Sequence, residues 1–508
     1  MDEYRSLIVL ACVIGYMALS IGVGVWAIRR TKSAHDFFMA GQNLGPVILG
    51  MAVFSTTLSG FGFVGGPGLV YNLGMSSVWM VVVAGFGYSL GFFMNAKRIR
   101  MIAEVRKSIS LPDILAARYN SEAVRFLTGL TIILGVLGYL ATQILAMAVV
   151  FKSVLDATPF FEAVPLYLCA AISLAVLVFY AVTGGIIASV YTDLVQGGIM
   201  VIAGILVVWT AATVFDGGFA EASAHILEDD PEAIMPWGTL GPVAVAAWFF
   251  MFGFGGTGQP HIITKNAMAR KISYARTILP IALIGYGVAA LLWIAVGVIM
   301  RAKVVSGELD PLAAADLAAP EFLNIFTNPL LAGVVFAGLF SAIMSTADAF
   351  LNIGAAAAIH DIPRSIRGRS ADNELLWARV ATIGLSVVAL VFAMYAYYYS
   401  GELVALLGSF GWGTFAASLA PVVAIGLNWK RATALAASVA IVVALVINFS
   451  VQIPAFGLAG IEFDGFSFPR GVAEGAVAML ISTILFIGIS LLQKPPKIDE
   501  DIDRLMDF

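Results

Sequence analysis

Three ionisable side chains lie inside otherwise apolar stretches of this 508-residue chain, namely Asp193, His261 and Asp348. Such groups are costly within a hydrophobic segment and are therefore candidates for function. Ser345 and Thr346 precede the last of them, and Ser345 shares a helix face with Asp348 because the two are three residues apart. Hydroxyl and carboxylate oxygens are ligands of hard cations. The pattern predicts an alkali-cation site, although hydroxyls of membrane helices also bond back to their own helix.

The apolar stretches themselves recur along the whole chain. Hydrophobic residues make up 60% and charged residues 12% of the sequence, and the mean hydropathy is +0.94. This composition leaves too little polar surface to cover a water-soluble protein of this size. We therefore predict an all-α protein of the inner (plasma) membrane, surrounded by the lipid bilayer. The net charge is -4 without a basic run, so nucleic acid is not an expected partner.

A bilayer core of about 30 Å is crossed by roughly 20 helical residues, and thirteen runs of that kind occur in the sequence. Their approximate limits are 6 to 28, 45 to 74, 75 to 95, 125 to 152, 163 to 182, 186 to 215, 241 to 264, 277 to 300, 329 to 357, 376 to 398, 402 to 426, 432 to 451 and 471 to 492. We predict thirteen transmembrane helices.

The charges of the connecting loops test this count. With the N-terminus outside and the C-terminus in the cytoplasm, only five of the 28 Lys and Arg residues fall on the outer side. The predicted outer loop from 216 to 240 contains six acidic residues and no Lys or Arg. Because cytoplasmic loops are enriched in Lys and Arg, this distribution favours thirteen spans with that orientation.

Two of the predicted spans contain helix-breaking residues. The second contains Gly65-Gly66-Pro67-Gly68, and the seventh contains several glycines between Gly253 and Gly258, followed by Pro260. Irregular backbone at membrane depth is tolerated where it lines a cavity, although a kinked, well-packed helix is the alternative. The two spans are five apart and so cross in opposite directions, which is typical of the inverted repeat of LeuT-like transporters.

The predicted organisation follows from this repeat. Residues 1–44 form an extra N-terminal helix and the first cytoplasmic loop, and residues 45–215 form the first repeat of five spans. Residues 216–240 form an external loop, and residues 241–426 form the second repeat of five spans. Residues 427–508 form two further helices and a short cytoplasmic tail. Substrate and ion sites are expected between the two broken helices, near the middle of the bilayer.

Four segments give the chain a specific resemblance to the sodium:solute symporter family, over nearly its whole length. They are Ser55-Thr56-Thr57-Leu58-Ser59-Gly60-Phe61, Tyr191-Thr192-Asp193-Leu194-Val195-Gln196, Gly258-Gln259-Pro260-His261 and Ala342-Ile343-Met344-Ser345-Thr346. The family includes bacterial symporters of proline, pantothenate, sialic acid and sugars. The resemblance implies a LeuT-like fold with Na⁺ as the coupling ion, and no organic cofactor is expected.

By that resemblance, the main Na⁺ site uses three backbone carbonyls and two hydroxyl groups. The carbonyls are those of Ser55, Leu58 and Ala342, and the hydroxyls are those of Ser345 and Thr346. Members with a second Na⁺ use an aspartate that matches Asp193, together with serines one turn further on. This chain departs from the family there, since it has Asp348 followed by Ala349. A second carboxylate strengthens the ion site or takes a proton, which leaves H⁺ coupling open.

The solute site is also an expectation from the resemblance. An aspartate of the proline-like branch is replaced by Thr57, and the aromatic solute contacts correspond to Phe61, Tyr139 and Phe252. Gly62 and Gly258 stand where sugar-binding side chains are found, which disfavours a sugar. The remaining solute-site candidates are Gln143, Gly256, Gln259 and His261. With no Lys or Arg expected in the cavity, free amides at the helix breaks would bind a small carboxylate.

These features together predict symport of a small carboxylate-bearing solute into the cell by alternating access. The solute is a monocarboxylate, a pantothenate-like compound or an amino acid such as proline. An H⁺-coupled carrier, a sugar symporter and a solute-sensing transceptor remain alternatives. The sequence leaves the oligomeric state open. An enzyme is not expected, because the sequence has no HExxH motif and no Cys/His metal cluster.

Overall fold

Helices account for nearly all of the regular structure. The computed structural model describes residues 4–57, 59–161, 163–400, 404–455, 468 and 471–507. The α-helices are α1 (Arg5–Ile28), α2 (Ala34–Met39), α3 (Pro46–Thr57), α4 (Gly66–Leu73), α5 (Val78–Gly91), α6 (Lys97–Arg106), α7 (Leu111–Tyr119), α8 (Glu122–Asp156), α9 (Leu166–Ala212), α10 (Gly218–Asp229), α11 (Pro231–Ile234), α12 (Gly241–Gly253), α13 (Pro260–Ala267), α14 (Ala275–Val305), α15 (Ala318–Phe326), α16 (Pro329–Ala356), α17 (Ile362–Arg367), α18 (Glu374–Tyr395), α19 (Val404–Ala420), α20 (Ala434–Ala455), α21 (Glu474–Leu492) and α22 (Glu500–Met506).

In the described part of the chain, eleven helical segments are long and apolar enough to cross a membrane. Two of them, Phe61–Arg106 with 46 residues and Leu166–Ala212 with 47, are more than twice the length that a bilayer requires. Each contains a glycine with positive φ, Gly74 at 62° in the first and Gly185 at 53° in the second. The count of eleven is smaller than the thirteen predicted runs because each of these two long segments covers parts of two runs. Thirteen crossings therefore stay a prediction.

The interruption in the second predicted span lies earlier than expected. Helix α3 ends at Thr57, Leu58 lies outside the described residues, and helical backbone resumes at Gly60 and continues as one π-helical turn, Phe61–Gly65, into α4. The prediction of a break at Gly65-Gly66-Pro67-Gly68 is therefore wrong. Pro67 lies in the first turn of α4, where a helix does not require its missing N–H.

The second glycine of that run has a packing role instead. A Cβ atom at Gly66 would lie 2.1 Å from ring carbon Cδ2 of Trp293, so α4 and α14 approach each other too closely for any side chain. The glycine is thus explained by helix contact, with Gly66 at an ordinary helical φ of -63°. A glycine in a membrane helix can indicate either close packing or a break.

The seventh predicted span is interrupted where expected. Helix α12 ends at Gly253, a 3-10 segment runs over Phe254–Gly258, and Gln259 is extended before α13 begins at Pro260. A Cβ atom at Gly258 would lie 2.4 Å from the backbone nitrogen of Ala420, so the irregular segment packs directly on α19.

Helix α16 is the central element of the bundle. It packs on α1, α8 and α9, and every residue from 338 to 356 is buried. Helix α3 packs on α9, α14 and α16. The ends of α3 and α13 and the middle of α9 and α16 therefore meet inside the protein, which is where the candidate ion ligands lie.

A separate network of charged side chains joins α7, α8 and the end of α16. Arg125 donates to Asp113 and Glu122, while His360 lies 3.0 Å from Asp113 Oδ2 and 2.9 Å from Glu374 Oε1. Side chains of Asp113 and Arg125 are 5% and 7% exposed, whereas that of Glu122 is 56% exposed. The network thus ties α7 and α8 to the π-helical turn Ala357–Asp361, which follows α16, and to α18.

Candidate ion and solute sites

The candidate ion ligands on three helices are joined by direct hydrogen bonds. The hydroxyl of Ser345 on α16 donates to Oδ1 of Asp193 on α9. The hydroxyl of Thr346 lies 3.0 Å from the backbone carbonyl oxygen of Thr56 on α3 and 3.1 Å from that of Ala342. All of these residues are at most 1% exposed. The structure thus brings the Ser345-Thr346 pair next to Asp193 and the end of α3, both of which are distant from the pair in sequence.

The other predicted ligands of the main Na⁺ site are Ser55, Ala342 and Leu58. Ser55 is fully buried on α3, and its hydroxyl lies 3.8 Å from the sulfur of Met200. Ala342 is fully buried on α16, while Leu58 lies outside the described residues. A hydroxyl that donates one hydrogen bond retains two acceptor lone pairs, so Ser345 and Thr346 still fit as ligands of Na⁺.

Lys265 changes the electrostatics of this region. Lys265 follows directly after the seventh predicted span, 241 to 264, where a solvated lysine is expected, but it lies in α13 with its side chain 1% exposed. Its Nζ atom lies 3.1 Å from Asp193 Oδ2 and 2.7 Å from the carbonyl oxygen of Ala52, and it also donates to the hydroxyl of Thr56. A buried, paired ammonium group therefore lies beside the candidate ion ligands. Lys265 does not line the aromatic pocket described below, so the expectation of a solute cavity without Lys or Arg is not contradicted.

Asp348 lies on α16 with its side chain 1% exposed. Its Oδ2 atom and the hydroxyls of Ser189 and Ser341 have no hydrogen-bond partner within the described residues. Its carboxyl group interacts electrostatically with Asp193 and Lys265. Because unpaired buried polar atoms are rare, these oxygens are available to a cation or a proton.

A second group of residues encloses an aromatic pocket next to the end of α3. Phe61 and Phe252 stack with ring centroids 6.0 Å apart, and Tyr139 lies 6.5 Å from Phe61. The cavity is narrow, and the volume open to the centre of a water-sized molecule is about 20 Å³. Its lining consists of Thr57, Phe61, Gly62, Phe63, Met80, Val81, Ala84, Tyr88, Tyr139, Phe252, Tyr286, Ala289, Trp293 and Trp412. Five predicted solute contacts, Thr57, Phe61, Gly62, Tyr139 and Phe252, therefore share one cavity.

The other predicted solute contacts do not line this pocket. Gln143 Oε1 accepts from the backbone amide of Gly60 at 2.8 Å, and Gln259 Nε2 lies 3.2 Å from the carbonyl oxygen of Gly255. Both amides thus satisfy backbone groups freed by the two interruptions. A Cβ atom at Gly256 would lie 2.9 Å from backbone of α5, and His261 packs its ring 4.5 Å from that of Phe350.

Several functional residues escape sequence reasoning. Trp293 and Trp412 lie in long apolar helices, so nothing in the sequence separates them from lipid-facing aromatics. Lys265 does have a signal, because it follows His261 by four residues and so shares its helix face. A buried His261 on a short helix implies that Lys265 points inward as well.

Comparison with known proteins identifies the family. The sequence model of the Sodium:solute symporter family matches residues 37–444. The chain belongs to the sodium:solute symporter family. The high-affinity proline transporter PutP of Bacillus subtilis (strain 168) is 30% identical over 433 residues, covering 81% of this chain and 85% of that protein. The sodium/proline symporter of Escherichia coli (strain K12) is 28% identical over 440 residues, covering 84% of each chain.

A solved structure shares the fold of this family member. The substrate-bound outward-open state of a Na⁺-coupled sialic acid symporter superposes with a TM-score of 0.75 at 20% identity, covering 96% of this chain and 99% of that one. Membership confirms the predicted class of protein, a multi-pass membrane symporter rather than an enzyme, in a family whose coupling ion is Na⁺. The helical architecture predicted from the sequence agrees with this fold.

Proposed function

We propose that this symporter carries a small zwitterionic carboxylate into the cell together with Na⁺, and that proline is the first solute to test. The observation that carries the proposal is the sequence adjacency of Thr56 and Thr57 at the end of α3. We call the buried cluster of Asp193, Lys265, Ser345, Thr346 and Asp348 the ion region. The backbone carbonyl of Thr56 accepts a hydrogen bond from Thr346 of this region, while Thr57 lines the aromatic pocket. One short segment of backbone therefore links the two sites.

The pocket favours an amino acid over a simple anion. Eight of its described lining residues are aromatic and none is charged. Faces of aromatic rings attract ammonium groups, so Phe61, Phe252 and Trp412 suit a solute that carries a positive charge on an apolar body. The two relatives named above are proline transporters, which agrees with this choice.

The proposed main Na⁺ site comprises the carbonyls of Ser55, Leu58 and Ala342 and the hydroxyls of Ser345 and Thr346. Na⁺ bound there would hold α16 against the end of α3 and so fix the wall of the pocket at Thr57. In this proposal Asp193 and Asp348 assist entry and release of the ion. A membrane potential contributes about 2.3 kcal/mol per charge per 100 mV, enough to drive accumulation of the solute.

The proposed topology has thirteen crossings, with the N-terminus outside and the C-terminus in the cytoplasm. Dividing Leu166–Ala212 at Gly185 gives two segments that each suffice for one crossing, and dividing Phe61–Arg106 at Gly74 gives a first part that crosses together with α3. The loop charges support this orientation. Residues 45–215 and 241–426 are then the two inverted repeats, which alternate between outward and inward access.

Uptake into proteoliposomes tests the proposal directly. Labelled proline is expected to accumulate under an inward Na⁺ gradient, to saturate, and to exchange with unlabelled proline in counterflow. Replacing Na⁺ by choline or K⁺ should abolish accumulation. Equal uptake in all three salts would reject Na⁺ coupling, and uptake that unlabelled proline fails to inhibit would reject the solute.

Two phenylalanines of α12 form a matched pair for the pocket. Phe252→Ala removes a ring that is 1% exposed and stacked on Phe61 and Trp412, so the KM for the solute should rise tenfold or more, or about 1.4 kcal/mol. Phe249→Ala removes a ring that is 48% exposed on the same helix and should leave the KM unchanged. Equal effects of the two changes would reject the pocket as the solute site.

A further inference from the structure

Lys265 fills every hydrogen-bond position of its ammonium group with partners in the ion region. Its three acceptors are Asp193 Oδ2, the carbonyl oxygen of Ala52 and the hydroxyl of Thr56. An ammonium group has three donors and no acceptor, so this arrangement is complete. The side chains of Lys265 and Asp193 are 1% and 0% exposed, which places the positive charge inside the protein.

Each carboxylate oxygen of Asp193 already has a partner in this arrangement. Its Oδ1 atom accepts from the hydroxyl of Ser345, and its Oδ2 atom faces Lys265. A buried carboxylate requires a positive partner, and either a metal ion or a side-chain cation can supply it. Here the positive partner is the ammonium group of Lys265, a side chain of α13.

The buried charges of this region do not balance. The ion region contains the carboxyl groups of Asp193 and Asp348 and the single ammonium of Lys265, all at most 1% exposed. With both carboxylates ionised, one negative charge remains, and an uncompensated buried charge is strongly unfavourable. One further positive charge restores neutrality, and a single Na⁺ can supply it because Asp348 Oδ2 has no hydrogen-bond partner in the described chain. A second Na⁺ would make the region positive.

We propose that Lys265 is a tethered cation that occupies the cation position at Asp193, so that each transport cycle carries one Na⁺ instead of two. The inference rests on the proposed Na⁺ coupling and specifies its stoichiometry. Lys265 is a positioning residue in this role: its charge substitutes for an ion, and its bonds to Ala52 and Thr56 fix the end of α3. The ammonium remains in the protein throughout the cycle, and only the ion at Ser345 and Thr346 exchanges.

Equilibrium binding of radioactive Na⁺ to the purified full-length protein tests this without knowledge of the solute. The wild type should bind one Na⁺ per chain. Lys265→Met removes the charge at similar length and should raise the number to two, whereas Lys265→Arg retains the charge and should leave it at one. Size-exclusion chromatography and thermal unfolding of each variant show that the protein is folded.

The double variant Lys265→Met/Asp193→Asn keeps the test valid where Lys265→Met fails to fold. It removes a positive and a negative charge together, so it should bind one Na⁺, as the wild type does. Two Na⁺ bound by the wild type, one bound by folded Lys265→Met, or none bound by the double variant would each overturn the inference. A wild type that binds no Na⁺ would instead reject the proposed function itself.

Discussion

The Thr346 hydroxyl on α16 lies 3.0 Å from the backbone carbonyl oxygen of Thr56 at the end of α3. The two residues are 290 positions apart in sequence, and both are buried. An ion bound beside this contact would therefore control how closely the two helices α3 and α16 approach. This relationship allows the ion site to be tested by a single change.

Thr346→Ala should raise the Na⁺ concentration for half-maximal uptake tenfold or more. The change removes one proposed ligand and the contact to α3, which corresponds to about 1.4 kcal/mol or more. Na⁺-dependent uptake at saturating solute measures the effect. The control is Thr382→Ala, because Thr382 is equally buried but bonds only the Ala378 carbonyl of its own helix. An unaltered Na⁺ dependence in Thr346→Ala would remove Thr346 from the site.

Gly66→Ala should destabilise the protein, because its Cβ atom would collide with the rigid ring of Trp293 at 2.1 Å. Overpacking of this kind costs about 1 to 3 kcal/mol. Gly287→Ala on α14 is the matched control, since nothing lies within 4 Å of its Cβ position. That change should be neutral or stabilising by about 0.5 kcal/mol. Thermal unfolding in detergent compares them, and similar melting temperatures would contradict the close packing.

Asp316 should make stability depend on pH. Burial raises the pKa of Asp316 to about 6, against a lowering effect of the Val404 N–H, which donates to Oδ2 at 2.9 Å. The folded protein thus holds the proton more tightly than the unfolded chain, so stability is highest below the unfolded pKa and falls as pH rises through about 6. The loss amounts to about 3 kcal/mol.

Asp316→Asn removes this titration and should therefore gain stability over the wild type as the pH rises. Melting temperatures near about pH 5 and about pH 8 provide the comparison, since the loss is completed above the folded pKa. Asp310→Asn alters an exposed carboxyl group six residues earlier and serves as the control. A difference between Asp316→Asn and wild type that is the same at both pH values would show that Asp316 is not responsible.

Asp113 should contribute far more to stability than its neighbour Glu122, although both bind Arg125. Asp113→Asn leaves a buried guanidinium without its buried partner, which costs about 3 to 5 kcal/mol. Glu122→Gln alters a pair whose acid is 56% exposed and should cost at most about 1 kcal/mol. Thermal unfolding distinguishes the two, and equal losses would contradict the importance of burial.

The same pair should be insensitive to pH near neutrality. Burial alone would raise the pKa of Asp113, but the hydrogen bond and charge of His360, with the charge of Arg125, lower it to about 2. The stabilisation is therefore present above the unfolded pKa of 3.8 and is lost only as pH falls through about 2. The titration of Asp113 itself should thus add no change in stability between about pH 5 and about pH 8.

The sequence predicted the family and the helical architecture, whereas the contact of Ser345 with Asp193 emerges only in the structure. These features depend on apolar periodicity and on short motifs, both of which are local. The predicted position of the break in the second span was wrong, because a glycine in a membrane helix can indicate either a break or close helix packing. Gly66 is required by Trp293, whose proximity only the fold determines.

Lys265 was misplaced for a related reason. Span ends are uncertain by several residues, and a lysine at such an end is usually solvated. Only the meeting of α13 with Asp193 and Thr56 makes the buried position favourable. The network of Asp113, Arg125 and His360 is likewise built from residues far apart in sequence, so no local pattern indicates it.

The two tryptophans of the pocket make it optically observable. Trp293 contacts Phe61 at 5.5 Å between ring centroids, and Trp412 contacts Phe252 at 5.2 Å, so both indoles lie beside the stacked rings. A molecule that enters between those rings displaces water or aromatic carbon from both indoles and changes their emission. Intrinsic fluorescence of the unlabelled protein can therefore follow occupancy in real time, and Trp293→Phe and Trp412→Phe divide the signal between the two walls.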